Sequence, residues 1–289
     1  MKKEIIKTWE AVAQDYAKLV VPNRPSFDDC KNYGLLIAQI LKNKRQPKIM
    51  VMGSTPELRS ILLTYTIFQK AQVYCLDINP TMYRAMTNFV IKSELKEKYV
   101  QKSWLNTGFK DNFFDLVVGD EVICNLPAKE HSKLFKEIGR ILKPSGFWIT
   151  RHNLYLKKES KKEAQKIVLD LVKKIDSGEY SFQQAINIFH PRLWYYTVSL
   201  SPEHKASIGD ALKILKEISK KLPQKNILKK LIILIKNNFS KFMNYSWSGL
   251  SQKESEQELE NYFSIKKRVV SKDYITAKFS PIYLLKVKK

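Results

Sequence analysis

Gly53, Ser54, Thr55 and, 24 residues past the glycine, Asp77 are the residues whose types and spacing suit chemistry most directly. The glycine closes a short apolar run, Ile49 to Met52. Ser54 and Thr55 are helix-capping types, Pro56 suits a first helical position and Glu57 is favourable beside a helix dipole. Such a turn presents backbone N–H groups at a helix start, and an acid ending the next strand can accept both hydroxyls of a ribose. The spacing is close to the roughly 20 residues of a dinucleotide-type unit. An ordinary strand-to-helix turn followed by a solvated aspartate would read the same, so this stretch leaves both open.

The elements that must position these residues are legible in order. Leu58, Ile61, Leu62 and Tyr65 recur at helical spacing, and Val73 to Leu76 is a second apolar run stopping at Asp77. Asn79-Pro80 opens a helix expected from Thr81 to Leu95. Its Met82 follows the acid-ended strand closely enough to lie beside a ribose and adenine. A short strand is expected over Lys98 to Ser103, then Trp104 and a turn at Thr107-Gly108. A stronger strand, Phe113 to Gly119, ends in Asp120-Glu121. The next helix carries Leu134, Phe135, Ile138, Ile141 and Leu142 and ends in Lys-Pro-Ser-Gly, with Gly146 as its C-terminal turn glycine before the strand Phe147 to Thr150. Two helices precede all of this. One is expected over Ile5 to Val21 with Trp9, Val12, Tyr16 and Leu19 on one face; the second starts after Ser26, with Asp28 and Asp29 in its first turn. Both would lie across the mouth of the site.

Strands alternating with helices at this spacing give an α/β fold with a parallel sheet covered on both faces. Right-handed crossovers place Gly53, Asp77, Ser103, Asp120 and Arg151 along one edge, where open sheets bind ligands. Past Tyr155 the pattern changes. Residues 156–255 read as a helical insertion, with segments over Ile167 to Ile175, Phe182 to Phe189, Ile208 to Leu222 and Ile227 to Phe242, and a local net charge of +8 between Lys205 and Lys241. Strands over Tyr262 to Val270 and Tyr283 to Val287 close the chain. The expected organisation is 1–155 for the N-terminal helices and cofactor-binding part, 156–255 for the insertion, and 256–289 for closing strands of the same sheet.

Composition narrows the classes. Hydrophobic residues at 44% and charged ones at 27% fit a globular protein, and no apolar run approaches the roughly 18 residues of a membrane span. The N-terminal stretch has no signal-peptide core, so a cytoplasmic location is expected. Cys30, Cys75 and Cys124 are odd in number and widely spaced, and the four histidines are scattered; reduced thiols and no zinc site are predicted. The net charge of +23 invites a nucleic-acid partner, yet eight arginines stand against 43 lysines, and dispersed lysine suits a solvated surface better than base-reading forks.

Four stretches, Val51 to Glu57, Cys75 to Pro80, Phe113 to Val122 and Glu137 to Arg151, occur in an order that resembles the class I S-adenosylmethionine-dependent methyltransferases. The resemblance covers roughly Trp9 to Tyr155. It implies a Rossmann-like, doubly wound, mainly parallel seven-stranded sheet with an antiparallel last strand, and S-adenosyl-L-methionine as cofactor. Carried over, Gly53, Ser54 and Thr55 form the cofactor turn, Asp77 binds the ribose, and Ile78 and Met82 lie near the adenine. Ser103 and Trp104 flank its other side, and Asp120 lies near the methionyl amine or the acceptor. Tyr16 and Arg24 would close over the cofactor, Arg24 pairing with its carboxylate. In this family an acid usually stands two residues before the first glycine, with glycines at alternate positions after it; here Val51, Thr55 and Glu57 stand there. Methyl transfer needs alignment more than a nucleophile; where the acceptor must lose a proton, Asp120, Glu121, His131 and His152 are candidate bases, Asp120 first. No Asn-Pro-Pro-aromatic motif follows the fourth strand, which favours a small-molecule acceptor. An RNA methyltransferase, or an inactive methyltransferase-like protein that binds RNA or a partner, is the alternative. A nicotinamide-dependent oxidoreductase is disfavoured by the missing three-glycine fingerprint.

Overall fold

Ile49, Met50, Val51 and Met52 are at most 1% exposed because strands pair on both sides of theirs and helices cover it. The computed structural model describes residues 9–288 apart from 11, 12, 14, 15, 20, 92–95, 159, 221 and 224, with residues 189–191 described by their backbone alone. The chain divides into two units: residues 1–153 with 254–289, and residues 154–253.

In the first unit, α1 (Phe27–Leu41) precedes β1 (Lys48–Met52), α2 (Pro56–Phe68), β2 (Gln72–Leu76), α3 (Pro80–Thr87), β3 (Lys98–Val100), β4 (Phe114–Asp120), α4 (Ala128–Ile141) and β5 (Leu142–Arg151). After the second unit come β6 (Phe263–Val269) and β7 (Ile282–Val287). The seven strands lie side by side as β3-β2-β1-β4-β5-β7-β6. The first five are parallel, and β7 enters antiparallel to both β5 and β6. The order reverses between β1 and β4, the topological switch point where sheets of this type hold ligands.

Tyr33, Leu36, Ile37 and Leu41 of α1 and Leu58 and Leu62 of α2 pack on one sheet face with Ile49, Val51, Leu116, Val118, Ile149 and Leu284. On α4, Leu134, Phe135, Ile138 and Ile141 form a buried stripe, and Phe135 meets Trp148 and Phe263 with ring centroids 6.0 and 6.2 Å apart. Helix starts follow their caps. Ser26 and Asp29 close a capping box on α1, and Asn79 accepts from the N–H groups of Thr81 and Met82 to start α3.

Several local expectations need correction. The helix after Asn79 ends at Thr87 rather than Leu95, and residues 92–95 lie outside the described set. Near the N-terminus a short 3-10 turn spans Tyr16–Lys18; Val12 and residues 5–8 of the expected helix lie outside the described residues. Gly146 is not a left-handed helix terminator, because α4 stops at Ile141 and β5 begins at Leu142. Phe114 pairs with Leu142 and Leu116 with Phe147, so residues 143–146 are extruded opposite Asp115. A Cβ on Gly146 would stand 2.9 Å from the Lys143 carbonyl oxygen and 3.0 Å from that of Phe114, so close backbone approach is what requires glycine there.

The second unit contains the helices Lys161–Asp176, Phe182–Leu200, Ile208–Ser219 and Lys225–Asn238, and an antiparallel pair of three-residue strands, Lys205–Ser207 and Ser246–Ser248. Ser160, Ser181 and Ser207 each complete a capping box. The second helix continues past Phe189 to Leu200. Trp194, Tyr195 and Tyr196 are buried in this unit, and the Trp194 indole donates to the Ala206 carbonyl at 2.9 Å. Among the described residues, no helix is long and apolar enough to cross a membrane.

Candidate functional site

The bend after β1 and the acid after β2 meet. Gly53 has φ +81°, and its N–H donates to the Leu76 carbonyl at 2.9 Å, clasping the bend to the end of β2. The Ser54 hydroxyl donates to Asp77 Oδ2 at 2.6 Å, and the Asn79 N–H donates to Oδ1 at 2.9 Å. The Asp77 carboxylate therefore faces the bend and is only 8% exposed. Burial pushes its pKa up against the opposing pull of these hydrogen bonds. The Asp77 carbonyl accepts from the Tyr99 hydroxyl at 3.0 Å, fixing the end of β2 to β3.

The remaining residues on this side take distinct places. Thr55 is the N-cap of α2 by position, with no cap bond from its side chain, and Pro56 follows inside the first turn. Ile78 is half-buried beside Asp77. Met82 packs with Ala13, Tyr16 and Met86 in a cluster between α3 and the N-terminal segment. The Ser103 hydroxyl accepts from the Leu105 N–H and so braces its own turn. Trp104 comes closest to the bend. Its indole N–H donates to Leu76 O at 3.2 Å, and a Cβ on Gly53 would lie 3.4 Å from its ring. That ring walls one side of the glycine turn.

Tyr16 and Arg24 are brought together, but on a carboxylate of the protein itself. The Tyr16 hydroxyl donates to Glu57 Oε2 at 2.8 Å, and Arg24 donates to Oε1 through Nε at 3.0 Å and Nη2 at 2.6 Å. The guanidinium also lies 5.1 Å from the Tyr16 ring centroid. Arg24, expected to pair with a cofactor carboxylate, is bonded here to Glu57. Glu57, in the first turn of α2, takes that bond because the third glycine of the usual pattern is replaced by an acid.

Asp120 is held likewise. Arg151 Nε donates to its Oδ1 at 2.8 Å and Nη2 to its Oδ2 at 2.9 Å, a two-bond fork between buried partners on adjacent strands. Arg151 also lies 3.4 Å from Asp29 Oδ2 and donates to the Pro22 carbonyl at 2.7 Å, while Tyr33 donates to Gly119 O at 2.9 Å and accepts from the Arg151 N–H at 2.8 Å. Burial alone would lower Arg151, but the Asp120 and Glu121 carboxylates outweigh it and push the guanidinium up. Both oxygens of Asp120, the first-choice base from the sequence, are thus bonded to Arg151, while burial pushes its pKa up against that pull.

Glu121, next along, is different. It sits at φ +53°, its Oε1 is 3.2 Å from Arg151 Nη2 without hydrogen-bond alignment, and its side chain is 12% exposed. Burial raises its pKa to about 8. His131 pairs with Glu258 at 3.0 Å. His152 is buried with neither ring nitrogen bonded among the described residues, and burial, aided by His131, lowers it to about 3. The sequence alone did not mark the Arg151 fork or the buried pair of Arg59 and Glu97, whose contact is 2.5 Å. An arginine at a strand end in an acid-rich crevice was the only signal for the first. Among the described residues no group of three or more His, Cys, Asp or Glu is arranged to hold a metal ion.

Residues 53–150 match the family model described as a methyltransferase domain. No curated protein matches the chain. Among solved structures, a Methanosarcina mazei SAM-dependent methyltransferase aligns at 17% identity and TM-score 0.51, covering 88% of this chain and 98% of its own. A Pyrococcus horikoshii protein aligns at 16% and 0.53, covering 95% and 99%. A Rhodobacter sphaeroides protein described as a Zn-dependent alcohol dehydrogenase aligns at 14% and 0.58, covering 99% of each. At these identities the likenesses speak to fold alone. The sheet order agrees with the match over residues 53–150, and that stretch is similar to a methyltransferase domain.

Proposed function

We propose that the Gly53–Asp77 corner binds S-adenosyl-L-methionine and that the chain transfers its methyl group to a small-molecule acceptor. The observation that carries this is the Asp77 carboxylate, buried and turned through Ser54 onto the glycine bend that lies at the switch point of the sheet. Each oxygen of Asp77 accepts one protein hydrogen bond and keeps a lone pair for a ribose hydroxyl. Ile78 and Trp104 supply apolar surface for the adenine, with Ser103 behind them and Thr55 on the turn. Met82 supports this wall from the core.

On the methionine side the fit is different, since Tyr16 and Arg24 already hold Glu57. Bound at this corner, the sulfonium supplies an activated methyl group. The chain's part is to hold donor and acceptor in line and to exclude water. Asp120, locked to Arg151, positions the end of β4. Glu121, pushed up to about 8 by burial, takes a proton in its ionised form, populated as pH rises towards that value, where the acceptor must lose one. After β4 the side chains turn inward: Cys124 Sγ and Asn125 Nδ2 both bond the Glu121 carbonyl, and Val122 and Ile123 are buried. The segment from Val122 to Leu126 holds no aromatic residue to stack a flipped base, which supports a small acceptor over RNA. The three thiols are free and at least half-buried, in keeping with a reducing cytoplasm. Calorimetry with S-adenosylmethionine and S-adenosylhomocysteine tests the cofactor: saturable heat is expected from both, and none from either would remove the proposal.

A further inference from the structure

The opposite edge of the sheet, at the N-terminal ends of the parallel strands, carries a groove of about 960 Å3 lined by Lys143, Ser145, Ser264, Lys266, Lys286 and Lys288, with Asn112 at one end. No acidic side chain lines it among the described residues. Asp115, beside it, accepts from Lys143 at 2.7 Å and from Lys44 at 2.9 Å, so one carboxylate answers two ammonium groups. Lys288 donates to the neutral Glu260 carbonyl, and Lys286 lies 5.8 Å from the Phe147 ring centroid.

Three elements build this groove, which argues against scattered surface lysine. Extrusion of residues 143–146 from β5 brings Lys143 and Ser145 outward. A second irregularity, between Ile265 and Lys267 of β6, leaves Lys266 unpaired in the ladder and re-aims it. Pairing of Ser264 with Lys286 sets a hydroxyl beside an ammonium across β6 and β7. Charges on the edge strand β6 are explained by protection against edge-to-edge association. That explanation does not reach Lys143 and Lys286, which come from strands inside the sheet.

We infer that this groove binds the sugar-phosphate backbone of double-helical RNA. Lysines spread along a groove neutralise phosphates as point charges without reading bases. Ser145, Ser264 and Asn112 both donate and accept, as a 2′-hydroxyl requires and as DNA does not. Among the described residues no aromatic ring lines the groove for stacking single-stranded bases, and Pro144 and Val287 are too little apolar surface to insert into a membrane. The site is independent of the cofactor corner, from which it is separated by the length of the strands.

The test is fluorescence anisotropy with a labelled RNA duplex of about 20 base pairs, the DNA duplex of the same sequence, and phosphatidylserine vesicles, over a salt series. Lys266→Glu with Lys286→Glu should weaken RNA binding about 30-fold near 0.15 M salt and reduce the log–log salt slope by about 2, because two phosphates are no longer neutralised and each accounts for roughly 0.9 of slope. Lys266→Gln with Lys286→Gln, milder for packing, should move both readouts the same way, with circular dichroism confirming the fold. Lys225→Glu with Lys229→Glu, at exposed positions of a helix in the second unit, changes net charge equally and should leave binding within about twofold. No RNA binding, equal weakening in this control pair, equal affinity for the DNA duplex, or capture by vesicles alone would each overturn the inference.

Discussion

Replacing Asp77 by Asn keeps the shape of the corner and removes its charge. A ribose diol donating two hydrogen bonds to an ionised carboxylate gains about 1.5–3 kcal/mol per bond, whereas an amide offers one neutral acceptor worth about 1 kcal/mol. The difference, roughly 3 kcal/mol, corresponds to about a 100-fold loss of affinity for S-adenosylmethionine. The fold should suffer little. Ser54 can still donate to the amide oxygen, and the variant no longer buries a charge whose pKa is already raised by desolvation. Only the Asn79 N–H loses its partner, at a cost of about 1 kcal/mol. Calorimetry with the cofactor and its demethylated product, together with thermal unfolding, measures both sides. If Asp77→Asn folds normally and binds the cofactor within twofold of the parent protein, the carboxylate does not hold the sugar and the assignment of this corner is wrong.

Three other perturbations probe the scaffold. Arg151→Met strands Asp29, Asp120 and Glu121 without their shared cation; about 3–5 kcal/mol of stability should be lost, lowering Tm by roughly 6–20 °C in a calorimetric scan. A second change, Asp120→Asn, should recover part of that loss. His152 titrates near 3 when folded and near 6.5 when unfolded, so the unfolded chain binds the proton first and stability falls as pH drops below 6.5. At pH 4.5 this amounts to roughly 3 kcal/mol, and His152→Gln should flatten urea-measured stability between pH 6.5 and 4.5 relative to the parent. Gly53→Ala imposes a Cβ at φ +81° and 3.4 Å from the Trp104 ring; a loss of about 1–2 kcal/mol and weaker cofactor binding are expected, and unchanged values for both would show that the bend is not constrained as described.

What was legible in the chain itself follows from local physics. Apolar runs too short for helices, ended by Gly53, Asp77 and Asp120, marked parallel strands because strands buried on both faces lack alternation. Ser26, Asn79 and Pro56 marked helix starts because unpaired N–H groups need capping within a residue or two. Since Gly53 and Asp77 close neighbouring strands, their meeting is a consequence of parallel pairing, and sequence order was enough to bring them together. The tertiary structure alone decided which charges were already spent. Glu57 joins Tyr16 and Arg24 across 41 and 33 positions, and Arg151 reaches Asp120 across 31 and Asp29 across 122. Burial makes such pairs strong and pairing makes their burial tolerable, but neither condition leaves a periodic trace in the chain. The Lys143–Lys286 groove is of the same kind, created by two register shifts that no local residue pattern announces.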